Sequence, residues 1–385
     1  MNKITAPTWA EINLDNLEFN LKNIKKLLST NTKICVVLKA NAYGHGAVQV
    51  ARFLETKGID YIAVARLEEA LELRQNGINS KILCLGYIPE ESLEIAIENE
   101  IALTIYTQEM ADRLNEISKS KNKITNIHLK IDTGMSRIGF EVNEESIGVI
   151  CNINNLEYLN IEGIYTHFSM SDEANKEFTN KQVEKFNWVV NNLENRNIKI
   201  PIKHVSNSAA TMDLSNLQYD MVRCGIVMYG YYPSADVKQE NLKLKPVMTL
   251  KTTISHIKKV PKDTGISYGH KYKTTENEII ATIPIGYADG FCRVQKNPKV
   301  IIKDKLFDVV GRICMDQCMI KIDEDIDIKT GEQVIIFGSE ARTADDLAKE
   351  IGTIVYEVLC MVSRRVDRVY MEKDAILQVN SYLVK

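Results

Sequence analysis

Five short blocks of this sequence place reactive side chains among small ones, each at the end of an apolar run. Lys39-Ala40-Asn41-Ala42-Tyr43-Gly44-His45-Gly46 follows Ile34–Leu38. A lysine at the end of a buried strand is partly desolvated, which lowers its pKa and makes it a nucleophile towards carbonyl carbon. The alanines and glycines around it let a ligand approach the backbone closely. Lys130-Ile131-Asp132-Thr133-Gly134-Met135-Ser136-Arg137 closes the run Ile127–Ile131, and an arginine there can hold a carboxylate in a bidentate fork. His167 follows Ile161–Thr166. Ser206-Asn207-Ser208-Ala209 follows Ile202–Val205 and opens a predicted helix; hydroxyls and free N–H groups at a helix start suit a phosphate. Arg223-Cys224-Gly225-Ile226 closes Tyr219–Arg223, and Gly225 would let N–H groups reach a second phosphate face. Singly, each block has an ordinary explanation: a snorkelling lysine, an Arg137–Asp132 surface pair, a satisfied core histidine, a plain N-cap. Their joint recurrence at successive strand ends is the stronger signal, because it points lysine, phosphate cradle and cationic groups at one cavity.

The elements that would position them form one rhythm from about residue 34 to 225. Eight apolar runs rich in β-branched residues read as strands: Ile34–Leu38, Tyr61–Ala65, Ile82–Leu85, Leu103–Tyr106, Ile127–Ile131, Ile161–Thr166, Ile202–Val205 and Tyr219–Arg223. Between them Arg66–Asn76, Thr107–Ser118, Glu144–Ile153 and Glu177–Glu194 carry apolar residues at helical spacing. Eight alternating units predict an α/β fold, a (β/α)8 barrel of the TIM type, whose reactive groups sit at the carboxyl ends of its strands. After about residue 240 the pattern changes to period-two alternation: Val247–Ser255, Ile279–Ile283, Val300–Ile302, Val309–Ile313, Met319–Ile322 and Val334–Phe337. Only Ala344–Ile351 reads clearly as helix there. Two domains are therefore expected, a barrel over 1–240 and a mainly β domain over 241–385. The alternating Thr8–Leu14 leaves residues 1–14 open to pairing with the second domain rather than the barrel.

Composition narrows the function classes. The chain has 385 residues, 45% hydrophobic and 26% charged, with 48 basic against 51 acidic side chains and a net charge of −3. That profile is of an ordinary globular protein and shows no basic excess for nucleic acid or an anionic membrane. Its apolar runs are far too short for a bilayer. The opening MNKITAPTWAEINLD has no apolar core of a signal peptide, and eight cysteines in a chain this long make no disulfide framework, so a cytoplasmic location is expected. Cys314 and Cys318 lack a second Cys or His pair at zinc spacing and are expected to be buried structural residues, with no metal. No Walker, dinucleotide or nucleophile-elbow motif occurs.

The run Val37–Gly46 resembles the pyridoxal-phosphate lysine motif of bacterial alanine racemases. Further blocks match in order: Lys130–Gly139, Tyr165–Phe168, Ser206–Ala209, Met221–Gly230, Ser267–Gly269, Ile285–Gly290, Gly311–Gln317 and Tyr356–Tyr370. The resemblance spans essentially the whole chain and implies a barrel followed by a β domain. It implies pyridoxal 5'-phosphate joined to Lys39 as an imine, and Tyr268 as a second catalytic base reaching the partner's barrel in a head-to-tail homodimer. It places Arg223 at the pyridine nitrogen with His167 beside it, and Tyr43, Ser208, Gly225, Ile226 and Tyr356 around the phosphate. Arg137 and Met315 match positions that hold the substrate carboxylate, and Lys130 matches a lysine that is carbamylated in many relatives. Three positions depart from the family pattern: Cys224 for a usual proline, Gly290-Phe291-Cys292-Arg293 for glycine-tyrosine-proline-arginine, and Ser169 for a usual alanine. They bear on substrate breadth.

The implied activity is interconversion of L- and D-alanine, with D-alanine used for peptidoglycan. Inverting a Cα centre needs a base on each face of a plane, roles for Lys39 and Tyr268. The tyrosine, with an ordinary pKa near ~10, needs nearby positive charge to serve. Arg223 stays protonated and leaves the ring nitrogen neutral. The alternatives are a serine or broader-specificity racemase, and a barrel-type decarboxylase with the same cofactor. The latter would place an acidic residue at the ring nitrogen and a glycine-rich phosphate loop, neither of which is seen. A non-catalytic carrier of the cofactor would lack the second domain.

Overall fold

The computed structural model describes residues 3–323 and 326–383. It divides into two units: one runs over residues 18–42 and 47–244, the other comprises the chain up to Leu17, Tyr43–Gly46 and the chain from Lys245 onward.

The first unit is a parallel eight-stranded sheet curled into a barrel. Its order is Ile202–His204, Leu159–Tyr165, Thr125–Lys130, Ile101–Ile105, Lys81–Cys84, Tyr61–Val64, Lys33–Val37 and Met221–Cys224. The two end strands are joined by Asp220 N–H to Lys203 C=O at 3.0 Å and Arg223 N–H to Ser206 C=O at 2.9 Å. All eight predicted strands are present, and so are the four predicted helices, now Leu67–Gln75, Gln108–Ser120, Glu144–Asn154 and Glu177–Glu194. Strands buried on both faces, such as Ile101–Ile105 with all five residues buried, read as continuous apolar runs. Helix starts are fixed by side-chain caps: Thr107 accepts from Met110 N–H, Asn143 from Ser146 N–H and Asn207 from Ala210 N–H.

The second unit is built on a ten-stranded sheet. Its order is His256–Val260, Glu278–Ile283, Cys318–Ile322, Lys305–Val310, Lys299–Ile302, Gln333–Phe337, Met248–Thr253, Thr8–Asn13, Asp367–Glu372 and Ala375–Asn380. Thr8–Asn13 pairs antiparallel with Met248–Thr253 and parallel with Asp367–Glu372. The strand expected over Val309–Ile313 instead occupies Lys305–Val310, because Gly311 turns the chain with φ +74°. A second helix, Val355–Met361, joins Ala344–Ile351. Among the described residues all eight cysteines are free; Cys318 is buried as expected, but Cys314 is only half-buried. No helix among the described residues is long and apolar enough to cross a membrane.

Candidate active site

Lys39 leaves the strand Lys33–Val37 into a turn of opposite hand. Ala40, Asn41, Ala42 and Tyr43 all have φ between 52° and 55°, a region that costs an L-residue roughly 1–2 kcal/mol each. Hydrogen bonds offset this. Ala42 N–H donates to Leu38 C=O at 2.8 Å, Ala40 N–H to Glu69 Oε1 at 2.6 Å and Ala47 N–H to Asn41 Oδ1 at 2.9 Å. Glu69 also accepts from Ala65 and Arg66 N–H, so one carboxylate ties the lysine turn to the next strand end. Asn41 is the residue of this turn best suited to that conformation, while Ala40, Ala42 and Tyr43 bear its cost.

Arg223 is 4% exposed and is held by neutral acceptors. Nη1 donates to His204 Nδ1 at 3.0 Å and His204 C=O at 2.9 Å; Nη2 donates to Thr166 C=O at 2.7 Å and Val205 C=O at 3.1 Å, with His167 Nδ1 at 3.4 Å. The guanidinium also lies 5.2 Å from the Tyr165 ring centroid, and that ring stacks on His204 at 4.7 Å. Lys130, 2% exposed, donates to Ile131 C=O at 2.7 Å and Ile138 C=O at 3.2 Å. Burial, against a pull from Asp132 and with help from Arg223 and Arg137, pushes its pKa down to about 8. His167 is held well below its ordinary value by burial and then by Arg223, Arg137, Lys130 and Lys39. Four of the predicted cations thus act on one imidazole. Arg223 and Lys130 are satisfied by carbonyls and imidazoles rather than carboxylates, which suits an anionic occupant.

Ser208 Oγ accepts from Gly225 N–H at 3.0 Å, joining the two expected phosphate blocks, with Ile226 buried beside them. Cys224, the departure from the family pattern, is buried, and burial pushes its thiol up to about 12. Arg137 is exposed.

In the other unit, Tyr43 is buried and its ring centroid lies 6.0 Å from that of half-buried Tyr356. The Tyr43–Gly46 segment is pinned by Arg368, whose Nε donates to Gly44 C=O at 2.9 Å, and by Tyr370, whose hydroxyl donates to His45 C=O at 3.0 Å. A side chain at Gly46 would overlap that hydroxyl. Tyr268 begins a tight turn between Ser267 (φ 64°) and Gly269 (φ 69°) and is 66% exposed; Met315 is 53% exposed. Ser267 Oγ donates to Arg312 C=O at 2.7 Å and lies 3.5 Å from Cys314 Sγ, which sets the Tyr268 and Met315 loops side by side. Sequence reasoning gave no role to Glu69, Tyr165, His204 or Arg368. A histidine at 204, just before the Ser206 block, was the one visible hint.

A left-handed lysine turn, a buried carbonyl-bound arginine and a joined serine–glycine pair stand at the strand ends of one barrel, an arrangement suited to an anionic ligand. The comparisons give the family. The family model described as "Alanine racemase, N-terminal domain" matches residues 12–233, and "Alanine racemase, C-terminal domain" matches 247–370. The chain is 46% identical to the alanine racemase of Clostridium tetani over the full length of both, and 44% identical to that of Methanococcus maripaludis over 96% of this chain and all of the other. Among solved structures, alanine racemase of Clostridium difficile 630 superposes with a TM-score of 0.98 at 58% identity, covering 99% of this chain and all of that one. Alanine racemase of Bacillus anthracis with bound L-Ala-P gives 0.93 at 35% identity over 99% of each chain. The chain belongs to the alanine racemase family of isomerases.

Proposed function

We propose that this chain interconverts L- and D-alanine with pyridoxal 5'-phosphate held at Lys39, working as a head-to-tail homodimer. The observation that carries the reading is buried Arg223 at the strand ends, held by neutral acceptors only, with its positive charge helping to keep His167 neutral. Phosphate and carboxylate groups answer that charge. Ser208, Gly225, Ile226, Tyr43 and Tyr356 would hold the phosphate, Arg137 and Met315 the alanine carboxylate, and Arg223 the ring nitrogen. When bound, the cofactor supplies an electron sink that acidifies the Cα–H of alanine.

The chain's own residues then divide the proton work. Lys39 Nζ takes or returns the proton on one face, and Tyr268 Oη of the partner subunit on the other. Exposure of Tyr268 in a single chain suits a side chain completed by a second copy. Arg223 cannot give up a proton; its Nη1 and Nη2 groups are engaged by His204, Thr166, Val205 and His167, which leaves Nε–H for a ring nitrogen that would stay unprotonated. That restrains side reactions. The product's proposed use is D-alanine for peptidoglycan, in the cytoplasm; disruption should impose a D-alanine requirement for growth.

Borohydride reduction of cofactor-loaded protein followed by peptide mapping should place the pyridoxyl group on Lys39. Chiral analysis should show either alanine enantiomer converging on the racemate. A label on Lys130 or another lysine, or loss of carbon dioxide instead of inversion, would overturn the assignment.

A further inference from the structure

Behind Arg223, a line of buried polar groups crosses the barrel interior to the opposite ends of the strands. His204 Nε2 lies 2.9 Å from His128 Nδ1. His128 Nε2 faces Glu162 Oε2 at 3.5 Å, within ion-pair distance, and both are buried atoms with no hydrogen-bond partner, so each is left to the other. The other oxygen, Glu162 Oε1, accepts from Lys81 Nζ at 2.5 Å. Lys81 also donates to the Tyr61 hydroxyl at 3.2 Å. His128 and His204 are fully buried and Glu162 nearly so.

The backbone is shaped for this line. Pairing between Thr125–Lys130 and Leu159–Tyr165 runs Ile127 with Ile161, then His128 with Gly163, so Glu162 is the extra residue of a bulge. Bulges re-aim side chains. A Cβ on Gly163 would overlap the His128 ring, so only glycine leaves the imidazole its place.

Proton bookkeeping gives the line a direction. Arg223 can only donate, so His204 Nδ1 must accept and its proton sits on Nε2. That proton is donated to His128 Nδ1, which leaves the His128 proton on Nε2, facing Glu162. We propose that Glu162 is a positioning residue for racemisation: through His128 and His204 it fixes the face of His204 that meets Arg223, and thereby the orientation of the guanidinium at the ring nitrogen. This deepens the function proposed above and rests on it. Lys81 completes the device by occupying Oε1 and leaving Oε2 for His128.

The test reverses the line with one substitution and restores it with a second. In Glu162→Gln, Lys81 keeps the amide oxygen, so the amide NH2 faces His128 Nε2 and donates to it. The His128 proton must move to Nδ1, His204 Nε2 must accept, and the His204 proton then confronts Arg223 Nη1. Removing Lys81 as well lets the amide turn its oxygen to His128. Nitrogen-15 NMR of histidine-labelled protein, with and without cofactor, should show His128 and His204 neutral with the proton on Nε2. Their signals are identified by loss in His128→Gln and His204→Gln. Glu162→Gln should move the protons to Nδ1 and lower kcat by about 10–100-fold, the usual size for groups supporting a reactive centre. The double variant Lys81→Met/Glu162→Gln should regain the native tautomers and most of kcat. Wild-type histidines charged or protonated on Nδ1, unchanged kcat in Glu162→Gln, or no recovery in the double variant would overturn the inference. The wild-type spectrum decides even if a variant fails to fold. Borohydride mapping to Lys39 separates the two readings. Its failure in wild type refutes the proposed function, whereas a labelled Lys39 with the wrong tautomers refutes only the role of Glu162.

Discussion

Lys130 offers a prediction whose size follows from its burial. Its pKa, pushed down to about 8 by burial, compares with an unfolded value of about 10.4. The folded pKa is the lower, so the unfolded chain binds more protons between these values, and stability rises with pH across that window. Well below pH 8 both states are protonated and the cost of burying the ammonium is fully present. Between pH 7 and 9 the relief amounts to about 1.3 kcal/mol. The perturbation is Lys130→Met, which fills the space without a charge. Denaturant midpoints of wild type and variant, taken in carbon-dioxide-free buffer at pH 7, 8 and 9, should show the wild type gaining about that much on the variant. The same shift leaves about a quarter of the Lys130 amines neutral at pH 7.5, against about one in a thousand for an ordinary lysine. A neutral amine beside Arg137 and Arg223 is poised to add carbon dioxide, and the carbamate anion would be held by those arginines. Added bicarbonate should therefore stabilise wild type and leave Lys130→Met unmoved, as expected for any ligand of the folded state. A stability difference that is flat from pH 7 to 9 would refute the buried-ammonium reasoning. Equal bicarbonate effects on both proteins would refute the carbamate.

Three further outcomes are expected. Lys39→Ala and Tyr268→Phe homodimers should be nearly inactive, while mixing them after reversible dissociation should restore up to one working site per mixed dimer; no recovery despite verified exchange would place the tyrosine in its own chain's site. Ala40→Gly should stabilise the protein by about 0.5–1 kcal/mol, the relief of a left-handed L-residue less the added chain entropy, read as a rise in denaturant midpoint. Gly46→Ala should cost at least about 2 kcal/mol, because it puts a methyl group onto the Tyr370 hydroxyl at φ +96°, and hydrogen exchange should show the loss at the Tyr43–Gly46 segment.

The barrel was legible because its strands are buried on both faces and its helices carry clean polar and apolar faces. Lys39, Lys130, His167, Ser208 and Arg223 were legible because each stands where such a run stops. Less of the second unit was readable. Val355–Met361 is a seven-residue helix with two β-branched valines in its sequence VYEVLCM, so its composition resembles a strand. His256–Val260 lies at the edge of its sheet and exposes most of its residues, so it lacks an apolar run. Asp367–Glu372 and Ala375–Asn380 meet at Lys373-Asp374, both at positive φ, without the Asn-Gly or Asp-Gly pair that signals such a hairpin. The line from Arg223 to Glu162 was hidden for a different reason. It depends on a one-residue bulge, a feature of two paired strands that the sequence of either strand alone does not spell out.

The turn after Lys39 bears on the chirality of the protein itself. At positions 40 to 43 the backbone follows the path that a mirror-image residue prefers. A D-alanine placed at exposed position 40 by semisynthesis would occupy its own favoured well there, without the entropy that glycine gives away. By the reading proposed above, the product of this chain would then be a better building block than its genetically encoded isomer at one place in the chain that makes it.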